Sequence, residues 1–290
     1  MNFLSKIPGP FLVFLGACAL SFGGLIVKSF DGSTLWQILF WSSLFFIGVI
    51  TIFLMFSYKG KVFSALHKSG VPGLIGGIIL SIGFASYVFA MYETTVANAN
   101  FIIQTQALFL AIFGYVFLKE KISKVTLTCI ITAVVGIILM LGSSLTPGQM
   151  TGNLVAFIMP ISFAILILIV RKYPKVDMIP LQLVAGIFAT LIGLLMSPSI
   201  LVSTNDIFLG FVAGFFQVGL GFILITIGAR STPSAIVGII MLTEAVLGPF
   251  WAWMFVNENP PIIVLIGGAV VITAVVTQFL STLIVQKFAK

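Results

Sequence analysis

Residues 71–91 read VPGLIGGIILSIGFASYVFAM. These 21 residues carry no charge and show no alternation of polar and apolar positions. Coiled as a helix at 1.5 Å per residue, such a run reaches about 30 Å, the thickness of a bilayer's hydrocarbon core. A barrel strand would need about 10 residues with alternating character. The stretch therefore reads as a membrane-spanning helix.

The rest of the chain repeats that pattern. Of 290 residues, 60% are apolar and 7% are charged, where ordinary soluble domains carry about 25% charged residues. The mean hydropathy is +1.26. A water-facing surface cannot be built from so few charges, and lipid demands closed backbone hydrogen bonding. Apolar runs at roughly 9–28, 34–57, 71–91, 95–117, 123–142, 152–171, 178–197, 206–228, 234–256 and 261–284 predict ten helical spans. Turn residues separate several of them, as at Asp31-Gly32-Ser33, Thr146-Pro147-Gly148, Ser197-Pro198-Ser199 and Asn257-Glu258-Asn259-Pro260. Leu15-Gly16-Ala17-Cys18 looks like a lipoprotein cleavage box, but the apolar run continues through Val27 and reads as a first span. Cys18 and Cys129 lie mid-span and form no disulfide framework.

The net charge of +7 does not point to nucleic acid, because the basic residues sit in short loops. With the N-terminus placed in the cytoplasm, 13 of the 14 basic residues fall on the inner side and Lys28 alone on the outer. That asymmetry predicts ten spans with both termini cytoplasmic.

The two halves are related. A shift of 138 residues lays Gly76 on Gly214, Gly83 on Gly221, Phe84 on Phe222, Thr105-Gln106 on Thr243-Glu244 and Glu120 on Glu258. Ser21-Phe22 matches Ser162-Phe163 at a slightly different offset. Five spans per half is an odd number, so the second copy enters the membrane from the opposite side. The expectation is an all-α integral membrane protein of two inverted five-helix repeats, residues 1–146 and 147–290, with a site near mid-membrane at their interface.

Leu242-Thr243-Glu244-Ala245-Val246 followed by Asn257-Glu258, and Thr105-Gln106-Ala107 followed by Lys119-Glu120-Lys121-Ile122, carry a family likeness. The chain resembles the drug/metabolite transporter superfamily, in particular its ten-span EamA-type members. In that family the ninth span often reads Leu-Glu-Pro-Val and ends in Gly-Glu; here Ala245 and Asn257 replace the Pro and Gly. The resemblance covers essentially the whole chain. It implies a central cavity lined by the third, fourth, eighth and ninth spans with the first and sixth. It also implies transport of a metabolite, often outward.

Several polar residues in those spans are candidates for substrate binding. Glu244 lies about 14 Å from either end of its span. A carboxylate so deep usually faces a cavity or a partner. It could bind a cationic group, carry a coupling proton, or hold the bundle together by a hydrogen bond. Asn98, Asn100, Gln104 and Gln106 put four amides into the fourth span. Asn100 and Gln104 share a face and suit a zwitterion, a base or a hydroxylated solute; Gln106 reads as a packing partner. Tyr87 and Gln217 are single polar groups in the third and eighth spans, and Tyr87 could stack on a ring or face a cation. Trp251 stands two turns after Glu244 and could wall the cavity. Pro160 and Pro249 interrupt the sixth and ninth spans, each freeing a carbonyl four residues earlier. His67, beside Lys68, reads as a solvated loop histidine.

No metal-ligand cluster, phosphate-binding glycine loop or nucleophile–base arrangement is present in the sequence, so no cofactor and no enzyme are expected. The expected function is secondary transport, in a bacterial cytoplasmic membrane, of a small neutral or zwitterionic metabolite such as an amino acid, a quaternary amine or a nucleobase. Efflux or exchange by alternating access is favoured over an uptake carrier, a channel or a lipid-translocating protein. No basic residue lies deep in a span to pair with a strongly anionic cargo, and Arg230 belongs at the inner rim.

Overall fold

The computed structural model describes residues 7–93, 99, 102–141, 150–256 and 262–288. Among them every regular element is a helix. Helices α1 (Gly9–Leu20) and α2 (Gly23–Ser29) are followed by α3 (Leu35–Ser57) and α4 (Val62–Glu93). Then come α5 (Gln106–Leu118), α6 (Lys124–Leu141), α7 (Met150–Ala156), α8 (Ile158–Lys172) and α9 (Ile179–Met196). Helix α10 (Thr204–Phe211) runs through a π-helical stretch, Val212–Leu220, into α11 (Gly221–Ala229). Helices α12 (Ser234–Met241), α13 (Thr243–Val256) and α14 (Ile262–Phe288) complete the chain.

Seven helical segments among the described residues are long and apolar enough to cross a bilayer, from Gly9–Val27 to Ser234–Phe255. Ile102–Leu118, Lys124–Leu139 and Leu265–Ser281 are equally apolar in character but shorter. The outward surface carries Phe56, Leu195 and Ile262, all strongly exposed. An apolar surface of that extent belongs against lipid. The interior is also apolar, centred on Phe46, Phe163, Phe222, Leu166 and Ile167.

The spans are less regular than uniform apolar runs suggest. The first is interrupted at Ser21–Phe22, the fourth at Thr105, the sixth at Phe157 and the ninth at Leu242. At the last three the backbone tightens to bonds three residues back: Thr105 N–H to Ile102 O, Phe157 N–H to Leu154 O, and Leu242 N–H to Ile239 O. Pro160 accounts for the sixth, because it cannot donate to the Ala156 carbonyl. The side chain of Pro249 lies outside the described residues. Residues 62–69, read as loop from the sequence, are helical; Gly70, at φ +59°, breaks them from the span that follows. His67 on that short helix is exposed, as expected of a solvated histidine.

Packing between the two halves is reciprocal. Helix α4 packs on α9, and the π-helical stretch packs on α3. Helix α4 also packs on α7 and α8, while α11 packs on α1; α5 packs on α8, while α12 packs on α1. The remaining large contacts join α3 to α9, α5 to α12 and α6 to α14. Repeat-matched glycines sit at matched crossings. A Cβ on Gly76 would come within 2.5 Å of Leu181, and one on Gly214 would run into the Ser42 carbonyl. At Gly214 the obstacle is backbone and cannot give way, whereas at Gly76 it is the movable ends of Leu181 and Ile169.

Polar contacts gather at the two ends of the bundle. At one end, hereafter the Arg171 end, the Glu120 carboxylate accepts from Arg171 Nε at 2.8 Å and from the Ser234 N–H at 2.8 Å. Arg171 Nη2 lies 2.6 Å from the same carboxylate, and Arg171 Nη1 donates to the Arg230 carbonyl at 3.2 Å. The Arg230 guanidinium pairs with Asp177, which also accepts from the Tyr58 hydroxyl at 3.0 Å. At the opposite end, the Asp206 end, the buried Asp206 carboxylate accepts from Ser33 Oγ and from the Asp31 N–H. There Gln37 Nε2 donates to the Ser199 and Leu201 carbonyls.

Candidate functional site

The break between α1 and α2 organises the site. A helix leaves its last four carbonyls without intrahelical partners. Leu20 is the last residue of α1, and its carbonyl accepts from Gln217 Nε2 at 3.2 Å. Ser21, the next residue, bonds back to the Cys18 carbonyl at 2.6 Å and accepts from the Trp251 indole N–H at 2.8 Å. The Phe22 ring stacks on Trp251 with centroids 4.4 Å apart and planes 16° apart. Gly23 then starts α2. A Cβ at that position would stand 2.8 Å from Gln217 Nε2 and 3.1 Å from the Tyr87 hydroxyl. Side chains from the third, eighth and ninth spans thus converge on one interruption in the first.

The Tyr87 hydroxyl also lies within electrostatic range of Glu244. Glu244 occupies the first turn of α13, directly after the tightened turn at Leu242. The Glu244 side chain is half-buried.

A partly open cavity of about 60 Å³ adjoins this cluster. Its walls include Phe30, Ser42, Ser43, Tyr87 and Gln217. That volume holds a few waters at most. The lining residues of α3 and α4 run from the Asp206 end to the middle of each helix, while Gln217 and Val218 sit at the middle of the span Thr204–Ala229. Deeper in, the rings of Phe46, Phe84, Phe163 and Phe222 pack edge to face at centroid separations of 5.2–6.3 Å. This aromatic floor closes the cavity toward the middle of the bundle. Beyond it lies the ionic network of Arg171, Glu120, Arg230 and Asp177.

Gln217 is half-buried on the cavity wall, with its amide nitrogen satisfied by the Leu20 carbonyl.

Of the residues expected to bind substrate, Tyr87 and Gln217 come together on the cavity wall. Trp251 and Glu244 join them through Ser21, Phe22 and the Tyr87 hydroxyl. Gln104 is buried, and its Oε1 finds no hydrogen-bond partner among the described residues. No described contact ties it to the Tyr87 cluster. Gln106 is likewise buried. Asn98, Asn100 and the Asn257–Glu258 pair lie outside the described residues. In the sequence Gly23-Gly24 reads as a close helix contact and Ser21 only as a repeat match, while Ser42 and Ser43 draw no notice, because a glycine or serine within an apolar run is ordinary in membrane helices. Sequence reasoning also passed over the Tyr58–Asp177–Arg230 and Arg171–Glu120 partnerships. No metal-binding cluster of three or more His, Cys, Asp or Glu occurs among the described residues.

Comparison with known proteins agrees with a membrane carrier. The EamA-like transporter family matches twice, over residues 7–142 and again over residues 148–280. The pseudopaline exporter CntI of Pseudomonas aeruginosa (strain UCBPP-PA14) is 25% identical over 235 residues, covering 79% of this chain and 81% of that protein. A solved crystal structure shares the fold at 17% identity, with a TM-score of 0.79 over 94% of this chain and 97% of the other. With the family spanning nearly its whole length, the chain belongs to the EamA-like transporter family and is a multi-pass integral membrane protein.

Proposed function

We propose that this protein is a secondary transporter that carries a small neutral or zwitterionic metabolite by alternating access. Its substrate site would form around Tyr87, Gln217, Ser42 and Ser43, the small cavity there widening to admit the solute. The observation that carries the proposal is the asymmetry along the bundle. A cavity with a mainly apolar wall and four polar side chains, Ser42, Ser43, Tyr87 and Gln217, runs from the Asp206 side to mid-span, while an aromatic floor and an ionic network close the Arg171 half. A carrier held open toward one face has this form; a channel would need a continuous path.

Ten spans in two inverted repeats fit the reciprocal packing of the halves and the two successive family matches. The basic residues cluster at the Arg171 end, so the positive-inside rule assigns that end to the cytoplasm. The cavity then faces outward. Both termini would lie inside, and the membrane would be the bacterial cytoplasmic membrane. Export is the favoured direction, because the relative named above is an exporter. Amino acids, quaternary amines and nucleobases match a wall that offers an amide, a phenol and hydroxyls, with Glu244 in electrostatic reach. Glu244 would meet a cationic group or carry the coupling proton. Asn100 and Gln104 would contribute from the fourth span.

The inner closure is strong enough to hold and weak enough to open. Fully buried ion pairs cost about 3–5 kcal/mol to break, exposed ones about 0–1 kcal/mol. The Arg171–Glu120 pair retains 19% and 15% side-chain exposure and belongs between these limits. Substrate must supply about 5.5 kcal/mol of differential binding to carry a two-state equilibrium from 1:99 to 99:1.

Counterflow in proteoliposomes tests the proposal. Vesicles preloaded with unlabelled candidate solutes should accumulate the labelled solute transiently, and Gln217→Ala should slow this at least tenfold. Linear, non-saturating flux without counterflow would make the protein a channel.

A further inference from the structure

The π-helical stretch Val212–Leu220 has two working faces. Ala213, Gln217 and Val218 line the cavity beside Tyr87. Phe215 and Leu220 point the other way and line a second, apolar groove of about 370 Å³ with Val49, Ile52, Phe53, Phe56, Ser57 and Ile223. The groove lies on the outside of the bundle, where Ile52 is 45% and Phe56 84% exposed. Its floor is the contact of Gly219 with Val49, a position where any added Cβ would collide. The extra residue in each π-helical turn widens the separation of side chains on either side of that contact, and such stretches recur at functional places in helices.

The groove has a direction. Helix α3 delivers Phe56 and Ser57 to its Arg171 end, and the chain then turns through Lys59 at φ +52° and Gly60 at φ +82°. Lys59 and Lys61 are both exposed immediately beyond that mouth. Phe63, 89% exposed on the helical turns that follow, and Lys68 lie on the same connection. An apolar slot along the bundle, with two exposed lysines two and four residues beyond its last lining residue on α3, matches a molecule with an acyl chain and an anionic head.

We infer that this groove is a binding site for an anionic phospholipid. One acyl chain lies along Val49, Ile52, Phe53, Phe56, Phe215 and Leu220, and the phosphate head is held by Lys59 and Lys61. The two lysines select charge, since a zwitterionic head of the same chain length brings a cation of its own toward them. The apolar wall holds the chain whatever the head.

Native mass spectrometry of the detergent-purified full chain, titrated with phosphatidylglycerol or phosphatidylcholine of identical acyl chains, tests the inference. At least tenfold tighter retention of phosphatidylglycerol is expected. Lys59→Gln with Lys61→Gln should bring phosphatidylglycerol down to the phosphatidylcholine level. Ile52→Trp, which fills the slot from a lipid-facing position, should weaken both lipids. Equal retention of the two lipids by the unaltered protein overturns the site, as does full phosphatidylglycerol retention in the double lysine variant. A doubled protein mass with no lipid retained assigns the groove to a second copy and also overturns it. Unchanged lipid binding by Ile52→Trp places the lipid elsewhere. None of these readings depends on transport, so they stand or fall apart from the assignment of the substrate cavity.

Discussion

Gln217 and Leu20 meet across 197 residues of sequence, the amide of one donating to the carbonyl of the other at 3.2 Å. The bond exists because the first span stops at Leu20 and leaves that carbonyl without a helical partner. It ties the eighth span to the break in the first, at the edge of the cavity. If Gln217 serves the substrate, its removal should harm transport far more than folding. Gln217→Ala is expected to lower the counterflow rate at least tenfold while costing about 1 kcal/mol of stability. Paired transport and thermal-unfolding measurements check it; a loss of several kcal/mol with normal transport per folded molecule would make Gln217 structural.

Gly23 offers a steric test of the same site. Gly23→Val would place atoms among the Gln217 amide and the Tyr87 hydroxyl. Overpacking of this kind costs about 1–3 kcal/mol. The variant should therefore insert and fold yet lose most of its transport, with Gly23→Ala intermediate. Gly48→Ala is the control, since a Cβ there meets nothing within 4 Å. Transport assays on the three variants, normalised to protein in the membrane, decide the matter.

Trp251 makes two separable contacts, the bond to Ser21 and the stack on Phe22. Trp251→Phe keeps an aromatic ring beside Phe22 and drops the bond; Trp251→Ala drops both. Aromatic pairs are worth about 0.5–1.5 kcal/mol beyond burial. Stability should fall in the order wild type, Trp251→Phe, Trp251→Ala, and substrate affinity should fall in the same order if the pair walls the site. Thermal shifts with and without substrate would show it.

How much of this was legible in the sequence depends on how local the information is. Runs such as 71–91 announce helices because lipid leaves the backbone no alternative. The pairing of Gly76 with Gly214 in the sequence corresponds to two tight helix crossings, the second against the Ser42 carbonyl. The breaks at Thr105 and Leu242 were not legible, because neither position carries a proline or glycine and apolar composition is uniform around them. Residues 62–69 were hidden for a related reason: basic and polar residues within a short connection look like loop. Tyr87, Gln217, Glu244 and Trp251 stood out as polar or amphipathic groups in apolar surroundings. Nothing local shows that Asp177 pairs with Arg230 rather than with any of the lysines near it.

Tyr58 connects the Arg171 end to pH. It lies just past α3, and its hydroxyl is pushed up to about 12, first by burial and then by the neighbouring Asp177 carboxylate. Between the ordinary tyrosine value near 10 and 12, the folded protein keeps this proton and the unfolded chain has lost it. Stability linked to Tyr58 is therefore fully present below about pH 10 and is lost as pH rises toward 12. Tyr58→Phe should flatten that alkaline decline and leave the profile between pH 6 and 9 unchanged. Thermal unfolding across pH in wild type and variant gives the comparison.

Glu244→Gln keeps the size of the side chain and removes its charge. The expected result is slowed transport or a lost pH dependence of transport. Rates identical to wild type at every pH would leave Glu244 with a packing role alone.

The central claim is that one site is reached from the Asp206 face and, after the Arg171 end opens, from the other. A single cysteine at Ser43, on the cavity wall, reports this in a background where Cys18 and Cys129 are replaced by alanine. Labelling with a membrane-impermeant thiol reagent, applied to one face at a time, is the measurement. In the intact protein the cysteine should react from the Asp206 face and be protected from the Arg171 face. Adding Asp177→Ala, which removes both oxygens that Arg230 and Tyr58 contact, should raise reactivity from the Arg171 face and lower it from the Asp206 face. Reactivity from both faces together, or from one face whatever happens to Asp177, would contradict alternating access.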